Sequence, residues 1–132
     1  MTTELEESYS IERFEKGHVD PESFNHEAHV YVGWLYVREF GLTDAIARFD
    51  SALKRLTAML GVPEKYHATI TWLFLMLIEE RSNRDDTWKS FRSRNTDLID
   101  GSKETLDRYY SETRLFSNRA REHFVLPDRL PV

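Results

Sequence analysis

Apolar positions recur along this chain with the period of helices, and three long segments carry the pattern. The first is predicted over residues 20–40, the second over 43–60 and the third over 63–81. Asp20-Pro21-Glu22 reads as a helix opening, with an acidic cap, proline at the first helical position and a carboxylate near the positive end of the dipole. Gly41 and Gly61 stand where a helix ends on a left-handed residue. In the second segment Ile46, Phe49, Leu53, Leu56 and Leu60 form one stripe, and Arg48, Lys54 and Arg55 take the wet side. The first and third segments differ, being apolar almost all round over residues 30–37 and 70–78. Such helices belong in the middle of a bundle.

Shorter helices are expected over residues 86–94 around Trp88 and Phe91, over 103–110 after a Ser102 cap, and as one or two turns within 111–124. The tail from Leu126, with Pro127 and Pro131, is expected to be extended, and residues 1–19 form a polar arm, flexible or partly ordered. Residues 20–132 make one domain. The fold class is all-α: a bundle of three long helices in antiparallel connection, with shorter C-terminal helices. The links between the long helices are only two or three residues, so the first and third run the same way and the second opposes them.

That topology gives the histidines a meaning. His26 and His29 lie three residues apart near the start of the first long helix, and His67 lies near the start of the third. Their heights differ by about a turn at ~1.5 Å per residue, so the three imidazoles are expected at one end of the bundle. Converging imidazoles suit a divalent transition metal such as zinc, iron, copper or nickel, and three ligands leave a position open. Glu22, Asn25, Tyr66 and Thr71 are candidates to orient the ligands or a substrate, and Trp34 and Trp72 to wall a pocket. The spacing is not that of a zincin, because His26-Glu27-Ala28-His29 is two residues short of H-E-x-x-H. Nor is it that of a di-iron bundle, since Glu79 and Glu80 have no histidine three residues on. The rival readings are a metal-free small-molecule pocket with or without acid–base chemistry, and an interaction module in which the histidines only tie helix starts together. No reaction type follows from the residues. The apolar girth of the first and third helices also suits a homodimer.

Composition narrows the field. The absence of cysteine excludes disulfides, thiolate ligands and cysteine nucleophiles. The net charge of −5 is concentrated in residues 1–22 and the remainder is nearly neutral, so no basic face for nucleic acid is expected. The C-terminal arginines 108, 114, 119 and 121, with Tyr109 and Tyr110, are interleaved with acids and read as surface pairing rather than an anion clamp. The longest apolar run is half the ~20 residues that span a bilayer. No secretory pattern is evident at the N-terminus, so a cytoplasmic protein without membrane contact is expected.

Three marks together resemble a family of small, uncharacterised bacterial proteins: Phe24-Asn25-His26-Glu27-Ala28-His29-Val30 followed by Trp34, Lys65-Tyr66-His67-Ala68-Thr69-Ile70-Thr71, and Pro127-Asp128-x-x-Pro131. The resemblance runs from about Phe14 to the end of the chain. It implies no particular activity, but it places the family's recognisable segments at the two histidine-bearing helix starts.

Overall fold

The computed structural model describes residues 4–129. Those residues form ten α-helices and one 3-10 turn, without a strand. In order they are α1 (Glu4–Ser8), α2 (Ile11–Glu15), α3 (His26–Phe40), α4 (Leu42–Met59), the 3-10 turn Pro63–Lys65, α5 (Ala68–Arg81), α6 (Trp88–Arg94), α7 (Thr96–Ile99), α8 (Ser102–Tyr109), α9 (Glu112–Leu115) and α10 (Asn118–Glu122). The three long helices α3, α4 and α5 pack mutually and make the centre of an all-α bundle. No described helix is long and apolar enough to cross a membrane.

Two helix starts differ from the sequence expectation, and both differences matter to the site. Asp20-Pro21-Glu22 forms a turn, in which the Asp20 carboxylate accepts the Glu22 N–H at 3.0 Å. The helix begins six residues later, where Asn25 caps it by accepting the Ala28 N–H at 2.9 Å. His26 is therefore the first residue of α3. Likewise Pro63 opens only a short 3-10 turn, and α5 starts after His67, which is itself the cap. Gly61, at φ +75°, sits in the left-handed region and turns the chain from α4 into that 3-10 segment.

Close approach of α3 and α5 depends on Gly33. A Cβ there would lie 3.2 Å from Leu75 and 3.4 Å from Ile78, so only a hydrogen fits without displacing them. Aromatic rings fill the remaining space in two groups. Phe14 stacks on Phe49 at 5.2 Å, with Tyr36 edge-on to both. On the other side of α3, Trp34 meets Trp88 at 5.5 Å, and Tyr31 and Phe91 complete that cluster.

Of the segment before Asp20, the described residues 4–19 carry two short helices that pack on the bundle. Phe14 and Tyr9 are buried, and α2 packs on α3 and α4, because the apolar faces of those helices leave room for a further ring. Towards the other end of the chain α10 and residues 123–125 cover α5. Thr69, fully buried, places its hydroxyl within donating distance of Ala120 O (2.7 Å) and His123 O (3.0 Å), and accepts the Val125 N–H at 3.2 Å. This intramolecular cover buries one side of α5. The cap of α8 is backbone Gly101, not the Ser102 hydroxyl, and the extra short helix α7 was not expected. Of the tail, Pro131 lies outside the described residues.

Candidate functional site

A cavity of about 460 Å³ opens at the end of the bundle where α3 and α5 begin and α4 finishes. From α3 it takes His26, His29 and Val30, and from α5 it takes Ile70, Thr71 and Phe74. The last turns of α4 contribute Leu53, Leu56 and Thr57, followed by Leu60. Pro21 and Phe24 close it from the turn before α3, and Val62, Lys65 and His67 from the connection into α5. Residues from the starts of α3 and α5 meet the end of α4 here, although the link from α4 to α5 runs over residues 60–67 and is longer than expected. All three histidines of the sequence argument face this one space.

Their chemistry is not the same. His67 is buried and both of its ring nitrogens are engaged: Nδ1 accepts the Ile70 N–H at 3.2 Å, and Nε2 donates to Leu115 O at 2.7 Å. A carbonyl only accepts and a backbone N–H only donates, so these partners fix a neutral, Nε2-protonated ring. Burial pushes its pKa down against the opposing pull of the Leu115 carbonyl, with Arg121 adding to the depression. His67 is thus a helix cap and a tie to the C-terminal segment.

His26 is half engaged. Its Nε2 donates to Leu98 O at 2.8 Å, linking α3 to α7, and its ring lies edge-on to Phe74 at 5.2 Å. In the neutral ring this leaves Nδ1 as a bare acceptor. His29 makes no hydrogen bond among the described residues. Its ring is stacked on Phe24 at 5.7 Å and lies 5.4 Å from Phe49. Burial, with the neighbouring His26 second, pushes its pKa down to about 4, so it is neutral at pH 7. Thr71 Oγ1 likewise has no partner among the described residues. Among the described residues the buried polar atoms without a partner are Trp34 Nε1 and Tyr36 OH, both away from the cavity, whereas His29 and Thr71 line it.

In this arrangement the three imidazoles do not all present a free nitrogen to one point. His67 has no free nitrogen, and no carboxylate lines the cavity. The ring centroids of His26 and His29 are 6.5 Å apart. Two imidazoles on one tetrahedral zinc, at about 2.0–2.1 Å per Zn–N bond, have centroids roughly 5 Å apart. Among the described residues no group of three or more His, Asp or Glu is arranged to hold a metal ion.

Of the supporting residues named from the sequence, only Thr71 lines the cavity. Asn25 is spent on capping α3. Glu22 is exposed in the preceding turn. Tyr66 donates its hydroxyl to Asp50, which also receives the Trp72 indole N–H at 3.3 Å and pairs with Lys54 at 3.1 Å. Burial and that carboxylate push the Tyr66 hydroxyl well above its usual range. Trp72 stacks on Phe124 at 5.6 Å and Trp34 lies in the Trp88 cluster, so neither walls the cavity. The walls supplied by α4 were missed, because Leu53, Leu56 and Leu60 carry the same signal as any core stripe. Of the C-terminal arginines, Arg114 donates to Leu126 O at 2.7 Å, Arg121 to Glu64 O, and Arg108 lies 3.7 Å from Asp97.

No protein-family model, curated protein or solved structure matches the chain.

Proposed function

We propose that this protein binds a small, mainly apolar molecule in the cavity at the end of the bundle, without catalysing a reaction on it. One observation carries the reading: a 460 Å³ space walled by leucine, isoleucine, valine and phenylalanine contains an imidazole, His29, with no hydrogen-bond partner among the described residues. Ligand sites are typically apolar cavities of this order of size, with a few polar groups that fix orientation. Acid–base chemistry is less well supported. His67 is locked in both hydrogen bonds, and no carboxylate or cysteine reaches the cavity to act beside His29.

Calorimetric titration with 2-methylnaphthalene tests the reading on the full chain. Saturable one-to-one binding that is lost in Leu56→Trp, which fills the cavity, is the expected result. The competing reading is a divalent transition metal held by His26, His29 and His67, and zinc titration of the three single alanine variants addresses it. Tight zinc binding lost equally in all three, with no uptake of the apolar probe, would overturn the proposal.

A further inference from the structure

We infer that the ligand is an uncharged molecule that presents a hydroxyl group, alcohol or phenol, to the acceptors of His26 and His29 inside the cavity. The inference rests on the cavity being a ligand site and goes on to assign the chemistry of what fills it.

Hydrogen-bond accounting leads there. The carbonyl of Leu98 claims the proton-bearing Nε2 of His26, and in the neutral ring the other nitrogen is a lone pair. Neutral His29 adds one more lone pair and one N–H. Thr71 supplies a hydroxyl that either gives or takes, and His67 supplies nothing because both of its nitrogens are occupied. The interior therefore offers an excess of acceptors and no fixed charge. A carboxylate or phosphate placed there would meet lone pairs and lose its hydration. The cation Lys65 stands exposed at the edge, where an anion is served in water instead of within the walls. An ammonium group would find acceptors but no counter-ion, since no aspartate or glutamate lines the space. A hydroxyl donates to one imidazole, accepts from the other partners, and carries no charge to desolvate.

Size sets the rest of the molecule. A dry 150 Å³ cavity accepts benzene, so about three times that volume takes roughly a dozen to twenty non-hydrogen atoms. A fused bicyclic or a medium-length aliphatic body fits beside Phe24, Phe74 and Leu56.

Three probes of matched shape separate the alternatives at pH 7.5: 2-naphthol, which is neutral, 2-methylnaphthalene, which has no polar group, and 2-naphthoate, which is anionic. Naphthol is expected to bind roughly 2- to 12-fold more tightly than methylnaphthalene, the net worth of one hydrogen bond. Naphthoate is expected to bind more weakly than either. In His29→Phe, whose ring keeps the stack with Phe24 and Phe49, the advantage of naphthol is expected to shrink towards unity while methylnaphthalene still binds. The three-probe series on the unmodified chain decides the matter without the variant, should the variant fail to fold. Binding of all three with equal affinity, or best binding of naphthoate, would overturn the hydroxyl assignment and leave the cavity as a ligand site. Failure of all three to bind would remove both.

Discussion

The two histidine-bearing helix starts look alike in sequence and do different work. At the start of α5 the imidazole of His67 is a structural fitting: one nitrogen caps the helix and the other fastens the Leu115 carbonyl. At the start of α3 that capping task falls to Asn25, and the imidazole one turn further on, His29, is left over. With Asn25 capping the helix, neither nearby histidine is needed as a cap: His26 is tied to the Leu98 carbonyl instead, and His29 has no hydrogen bond among the described residues. Histidine near a helix start is thus not one signal but two, and the residue at the cap position decides between them.

The largest effect expected from breaking this contrast is on stability, at His67. His67→Ala removes a cap and leaves a buried carbonyl unpaired, so denaturant titration is expected to show a loss of about 2–4 kcal/mol. His67→Asn, which retains a capping oxygen, is expected to recover about 1 kcal/mol of that. A His67→Ala variant as stable as the parent would mean that the imidazole is not holding the two segments together.

Next in size is the pH dependence from His29. Its pKa is lowered from 6.5 to about 4 in the folded chain, so the unfolded chain binds the proton more readily between those values. The stability it contributes is complete above pH 6.5 and is lost as pH falls towards 4, by about 2–3 kcal/mol. His67, also depressed, adds a loss of the same sign. Subtracting the profile of His29→Phe from that of the parent, both measured by denaturant titration from pH 7 to pH 4, isolates the His29 share. Superimposable profiles would show that His29 is not held neutral.

A smaller test lies within α5 itself. Thr69 and Thr71 are two residues apart and both are buried, yet only Thr69 has its hydroxyl tied to the C-terminal segment. Thr69→Val is expected to cost about 2 kcal/mol and Thr71→Val less than about 0.5 kcal/mol in the same titrations. Equal costs would place a structural partner on Thr71 and take its hydroxyl out of the cavity.

Much of the scaffold could be read from the chain. Apolar runs with glycines at their ends marked the three long helices, and short links implied the arrangement that brings His26, His29 and His67 to one end. The exact starts could not be read. Asp20-Pro21 has every local feature of a helix opening, but its carboxylate is used two residues on, and the apolar face begins only after Asn25. His67 as a cap was equally hidden, because the Leu115 carbonyl that fixes its ring lies 48 residues away. The tryptophans were misplaced for the same reason. Trp34 finds Trp88 and Trp72 finds Phe124, partners that no local pattern announces. Periodicity reports which face is buried; it does not report whether the burial is against protein or around a space, and so α4 gave no sign of its part in the cavity.

The distinction between a closed His67 and an open, neutral His29 is tested most directly by nitrogen-15 NMR of the imidazole rings, recorded from pH 7 down to pH 4 with and without 2-methylnaphthalene. At pH 7 His67 is expected to be a neutral, Nε2-protonated ring, its tautomer unchanged by the probe, while His29 shifts when the probe binds and gains its proton only near pH 4. A His29 that titrates near pH 6.5 and does not respond to the probe would contradict it.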